Sequence, residues 1–195
     1  MMTMVGTNFR WWRRPGFYIV AVVLVVCLAP AAAPLIGNNF YVLVDGQAYR
    51  SAQPNGEEIR KYALERGIAT ILNLRGANSG APWYDEEVAT ARQLGIEHID
   101  FAMSARRELT PERAMELISI MKNARKPLLI HCRAGADRTG LASALYMAFI
   151  AHRGEAAAES QLSLRFGHYA LPVIGTEQMD LTWEAMEPYF GFPKS

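Results

Sequence analysis

The chain of 195 residues is 51% hydrophobic and 20% charged with a net charge of +1, which leaves room for one core of ordinary size and excludes a disordered or repetitive polymer. Arg10, Arg13 and Arg14 are the only charges before Asp45, so taking these three from +1 leaves −2 for the rest, a sign that excludes the broad basic footprint of a nucleic-acid binder. Two cysteines, Cys27 and Cys132, exclude a disulfide framework, and His98, His131, His152 and His168 lack metal-ligand spacing, so no metal and no other cofactor is expected.

The first element in chain order is a targeting segment. Residues 15–44 carry no charge, Phe17 to Ala29 is almost wholly aliphatic, and Trp11, Trp12 and the three arginines precede it. That pattern fits a segment crossing a membrane with its N-terminus held in the cytoplasm. A spanning helix needs roughly 20 apolar residues, which Phe17 to Ile36 supplies only if Pro30 and Pro34 are accommodated. The strict core is shorter, as in a secretory signal, and Ala29–Ala31 or Ala31–Ala33 offers small-residue cleavage sites. The expectation is a membrane anchor over residues 1–36, with a cleaved signal as the alternative. Both place a globular domain, 37–195, on the non-cytoplasmic side, anchored in the first case and secreted or periplasmic in the second.

Beyond it, strands and helices alternate. Asn39 to Asp45 reads as a strand or half of a hairpin, and Tyr49-Arg-Ser-Ala-Gln-Pro54 closes on a proline turn. Helices are expected over Glu57 to Glu65, ending at Gly67, and over Tyr84 to Leu94, ending at Gly95; strands are expected over Ile68 to Leu74 and Ile96 to Phe101. Thr110-Pro111-Glu112 opens a helix with a capping hydroxyl, a proline in the first turn and an acid near the positive end. Ala114, Leu117, Ile118 and Met121 share its apolar face. Leu128 to Ile130 is a short buried strand, and Leu141, Leu145, Ala148 and Phe149 mark a helix buried on one side. This alternation predicts an α/β fold with a central, mainly parallel sheet flanked by helices on both faces.

The chemistry lies in one loop, His131-Cys-Arg-Ala-Gly-Ala-Asp-Arg-Thr-Gly140, between a buried strand and a helix start. α/β sheets bind ligands at that position. The N–H groups and positive dipole of the helix make an anion site and favour the thiolate, the nucleophilic form of Cys132. Arg133, Ala134, Gly135, Ala136, Asp137 and Arg138 would surround the anion. Gly135 lets the backbone turn so that successive amides converge, Arg138 meets two phosphate oxygens with its fork, and Thr139 can donate its hydroxyl to the sulfur.

His131, Cys132, Gly135, Arg138 and Thr139 complete the signature H-C-x5-R-[S/T], and the chain resembles the protein-tyrosine and dual-specificity phosphatase superfamily. Tyr49 to Pro54 and Leu72-Asn-Leu-Arg75 are similar to elements of its smaller, atypical members, and the likeness spans Asn39 to Tyr169. The resemblance implies the cysteine-phosphatase fold, a catalytic domain over 37–195 and a two-step reaction through phosphocysteine without metal or cofactor. It also implies an aspartate that protonates the leaving oxygen, and here three residues compete. Asp100 lies 32 residues before Cys132 but within a strand, Glu108 lies in the loop where the acid is expected, and Asp137 lies inside the cysteine loop. Arg75, Arg106, Arg107, Gln161, His168 and Tyr169 are weaker pocket candidates, Gln161 for placing water.

The leading function is hydrolysis of phosphomonoesters in proteins, on phosphotyrosine and also on phosphoserine and phosphothreonine. The alternative, suggested by the apolar segment, is a lipid phosphatase acting on phosphoinositide or phosphatidylglycerophosphate-like head groups at a membrane. A phosphate-binding module without turnover would not need the thiolate. A rhodanese would have a loop one residue shorter.

Overall fold

The structure, a computed structural model, describes residues 18–19, 38–170, 172–173 and 175–192. Five strands form one sheet: β1 (Tyr41–Val44), β2 (Ala48–Ser51), β3 (Thr70–Asn73), β4 (Glu97–Asp100) and β5 (Leu128–His131). Their order is β1-β2-β5-β3-β4, with β1 and β2 an antiparallel hairpin and every other pair parallel. The expected mainly parallel α/β sheet is therefore observed, with β5, the strand that leads into Cys132, at its centre.

Alternation along the strands sends side chains to two cores. Tyr49, Ile71 and Leu129 face one side, where they meet Ile59 and Tyr62 of α1 (Gly56–Arg66) and Ala91 of α2 (Pro82–Gln93). Ala48, Leu72, Leu128 and Ile130 face the other. There they meet Ala114, Leu117, Ile118 and Met121 of α3 (Pro111–Asn123), Leu141 and Leu145 of α4 (Asp137–Leu145), and Met179 and Trp183 of α6 (Gln178–Met186). A short α5 (Glu155–Glu159) adds Ala158 to this second core.

Local chemistry fixes the helix ends. Asn55 and Glu58 form a reciprocal capping box at the start of α1, each side chain accepting from the other's backbone N–H at 2.9 Å. Gly67 ends α1 in the left-handed conformation. Thr110 accepts from the Arg113 N–H ahead of α3, as its Thr-Pro-Glu start predicts. One expectation needs correcting: α4 is not buried on one side only, because Thr139 through Leu145 are all buried. The sheet, α3, α5 and α6 enclose it, and it continues into a π-helical turn over Tyr146–Ile150.

The expected membrane anchor, and the far-side location built on it, are also corrected. No helix among the described residues is long and apolar enough to cross a membrane. Apart from Tyr18 and Ile19, the segment on which that expectation fell lies outside the described residues.

Candidate active site

Parallel pairing aligns Ser51, Asn73 and His131 at the same sheet level, so the segments after β2, β3 and β5 emerge side by side. Cys132 follows directly from β5 and is 3% exposed. It lies at a cavity of about 360 Å³ lined by Ala105, Arg106, Cys132, Arg133, Ala134, Asp137, Arg138 and Thr176.

The loop is held from outside. The Arg133 carbonyl accepts from the Gln53 N–H at 3.2 Å, the Ala134 carbonyl from Asn39 Nδ2 at 2.9 Å, and the Gly135 carbonyl from Arg50 Nη2 at 2.8 Å. In a planar trans peptide the next N–H points opposite to the carbonyl. Fixing these three carbonyls outward therefore turns the amides of Ala134, Gly135 and Ala136 toward the inside of the loop. Gly135 makes the turn possible: its φ is +69°, and a Cβ there would lie 2.6 Å from the Ala52 nitrogen and 2.7 Å from the Ser51 carbonyl.

Arg138 sits on the first turn of α4, with Nη1 3.4 Å from the Leu74 carbonyl and 3.3 Å from that of Met103. Both contacts anchor the guanidinium between the β3 and β4 loops. Thr139 Oγ1 is buried and has no hydrogen-bond partner among the described residues, so the expected bond to Cys132 is not formed here.

The acid candidates separate. Asp100, at the end of β4, accepts from Asn73 Nδ2 at 2.8 Å and from the Tyr84 hydroxyl at 2.6 Å, and it does not line the cavity. Glu108 is exposed and does not line it either. Asp137 does, and its Oδ1 lies 2.8 Å from His168 Nδ1. His168 Nε2 in turn lies 2.9 Å from Asp180 Oδ2 on α6. Carboxylates only accept, so both ring nitrogens carry protons and the ring is an imidazolium. Burial opposes that charge, but the hydrogen bonds from Asp137 and Asp180 outweigh it and raise the His168 pKa from 6.5 to about 9.

Behind His131 lies a second buried network that the sequence did not reveal. Glu87 of α2 is fully buried. Its Oε1 accepts from His98 Nε2 at 2.6 Å and from His131 Nε2 at 3.2 Å, while Oε2 accepts from Gln53 Nε2. Burial pushes the carboxyl up, yet the two histidine hydrogen bonds prevail and hold it at about 2. Gln53 also accepts from Arg75 Nη1 at 2.9 Å, and Arg75 stacks on Trp83 with 3.4 Å to the ring centroid.

Of the weaker candidates, Arg106 lines the cavity, whereas Gln161 is bonded to Arg50 and His168 stands behind Asp137. Sequence reasoning missed Asn39, Arg50, Glu87, Thr176 and Asp180 as contributors. The available signals were a charge on the apolar stripe of α2 for Glu87 and an arginine inside a buried strand for Arg50.

The family model described as "DSP-PTPase phosphatase fused to NAD+ Kinase" matches residues 42–171. The chain belongs to this family. This DSP-PTPase shares its fold with P. aeruginosa TpbA, solved in complex with pTyr: identity is 20%, the TM-score 0.59, and the match covers 76% of this chain and 83% of that one. The core catalytic domain of the PP-IP phosphatase SIW14 from S. cerevisiae, in complex with citrate, matches at 20% identity and a TM-score of 0.58 over 80% of this chain and 96% of that one. Tk-PTP in its active form matches at 19% identity and a TM-score of 0.57 over 75% and 95%. No curated protein matches the DSP-PTPase significantly. The protein is thus a phosphatase of the tyrosine and dual-specificity type on the cysteine-phosphatase fold.

Proposed function

We propose that the enzyme hydrolyses phosphotyrosine in proteins through a phosphocysteine at Cys132. The observation that carries this reading is a buried sulfur at a cavity whose loop amides are turned inward by three tied carbonyls. A nearly buried nucleophile favours a phosphate on a long, flat arm, and phosphotyrosine reaches further from its backbone than phosphoserine or phosphothreonine. Arg106 and Arg133 at the cavity wall suit an aromatic ring and its phosphate together. The pTyr complex of TpbA points the same way. No spanning helix among the described residues supports the lipid alternative.

In the first step Cys132 Sγ attacks phosphorus, the bond from phosphorus to the tyrosyl oxygen breaks, and that oxygen takes a proton through the Asp137 carboxylate, which draws it from the His168 imidazolium. Asp137 is assigned this role because it lines the cavity while Asp100 and Glu108 do not. In the second step water gives its proton to Asp137 and its oxygen to phosphorus, and the sulfur leaves as thiolate. Arg138 and the loop amides hold the equatorial oxygens throughout. We assign to Thr139, whose hydroxyl is buried without a partner among the described residues, the donation of a hydrogen bond to the departing sulfur.

The test compares phosphotyrosine, phosphoserine and phosphothreonine peptides and a multiply phosphorylated inositol, the last because SIW14 is a PP-IP phosphatase. The reading expects the highest kcat/KM on phosphotyrosine and no turnover by Cys132→Ser. A preference for the inositol compound would overturn the substrate assignment. With aryl phosphates, Asp137→Asn should lose the basic limb of the pH–rate profile and Asp100→Asn should keep it; the reverse would move the proton donor to Asp100.

A further inference from the structure

Arg50 is a fully buried arginine inside β2, and no carboxylate among the described residues pairs with it. Its Nη1 donates to the Gln161 carbonyl at 3.0 Å and to Gln161 Oε1 at 2.9 Å, and its Nη2 donates to the Gly135 carbonyl at 2.8 Å. The guanidinium carbon lies 3.8 Å from the centroid of Phe166, and Nε has no partner among the described residues. Burying a cation among neutral acceptors is expensive, and a buried charge is normally found with a counter-charge.

The charged and titratable groups facing Arg50 are Cys132, Tyr41 and Arg165. Arg165 repels it, and a tyrosine phenol is neutral near pH 7. Among the described residues only the Cys132 sulfur can supply a negative charge there, first as thiolate and then as the phosphoryl group it carries. Burial lowers the Arg50 pKa to about 9, which still leaves a cation at neutral pH, and the charge of Cys132 acts to raise it again.

We propose that Arg50 is a positioning residue with two tasks: it aims the Ala136 amide by holding the Gly135 carbonyl, and it supplies from behind the loop the fixed positive charge that keeps Cys132 a thiolate. The inference rests on Cys132 being the nucleophile. Arg138 faces the substrate from the cavity, Arg75 also senses the charge of Cys132 from the β3 side, and the loop lies between an outer guanidinium, Arg138, and an inner one, Arg50, that do different work. The outer one binds the phosphate, and the inner one is present whether or not substrate is bound.

The experiment is the pH dependence of alkylation by iodoacetamide, a neutral reagent, read on the Cys132 peptide of the full chain. It needs no turnover, so retained activity in Cys132→Ser would refute the nucleophile itself, separately from this result. Arg50→Gln removes the charge. Gln161→Glu sets a carboxylate where Oε1 already accepts from Arg50, cancelling the charge while keeping the Arg50 contacts and giving up only the long Nε2 donations to the Ala157 carbonyl and Ser160 Oγ, and it decides the matter if Arg50→Gln does not fold. Both should raise the alkylation midpoint by about one pH unit or more. Arg50→Lys keeps the charge but not the fork, so its midpoint should stay within about half a unit of wild type while kcat falls about tenfold or more. Wild-type midpoints in Gln161→Glu, or a Lys variant displaced as far as Gln, would overturn the proposal.

Discussion

Raising the pH should detach the C-terminal helix from the catalytic loop, because one buried imidazolium joins them. His168 is 3% exposed and bridges Asp137 of α4 to Asp180 of α6. Its pKa is 6.5 when free and about 9 in the fold. Between those values the folded protein holds a proton that the unfolded chain has released, so stability falls as pH rises. The contribution is fully present below 6.5 and is lost as pH climbs through 9. At about 1.4 kcal/mol per pH unit the gap corresponds to roughly 3 kcal/mol. For a protein of this size that is a drop of about 6–12 °C in melting temperature. The assay is thermal unfolding at pH 6, 8 and 10 for wild type and His168→Gln, which keeps a hydrogen-bonding side chain without the charge. Taking the difference cancels whatever slope the rest of the protein contributes. The two melting temperatures should be far apart at pH 6 and converge by pH 10. Parallel curves would refute the bridge.

Gly135→Ala should destabilise the protein by roughly 1–3 kcal/mol, a strained left-handed residue, and should cost more activity than stability. The new Cβ would meet the Ala52 nitrogen at 2.6 Å and push the loop out of register; wild-type kcat on an aryl phosphate would contradict this. Glu87→Gln should cost on the order of 3 kcal/mol, since it leaves His98 and His131 facing a neutral amide. Because the Glu87 carboxyl is held at about 2, its contribution is present above its ordinary value of 4.5 and is lost as pH falls toward 2. Urea midpoints between pH 7 and 3 should accordingly drop more steeply for wild type than for Glu87→Gln.

The sheet and the nucleophile loop were legible because their signals are local. Leu128 to Ile130 is apolar on both sides, as a central parallel strand must be, and Cys132, Gly135 and Arg138 sit within seven consecutive residues. What surrounds the loop was not legible, because it is assembled from distant segments. Asn39, Arg50 and Gln53 tie the loop's carbonyls from the other end of the domain. Thr176 and Asp180 come from a C-terminal stretch in which no element was expected. Asp100 illustrates the limit: its spacing from Cys132 fits a proton donor, but spacing carries no information about which way a strand end faces. In the fold it is occupied by Asn73 and Tyr84. Gln161 was read as a water-placing residue, yet its oxygen serves Arg50.

The central claim is covalent catalysis by Cys132, and the most direct measurement is acid-quenched turnover of a labelled aryl phosphate followed by mapping of the modified peptide. The phosphoryl group should be found on Cys132, at a level that rises when Asp137→Asn slows the second step. Steady turnover with no phosphoryl group on that peptide at any quench time would contradict the account.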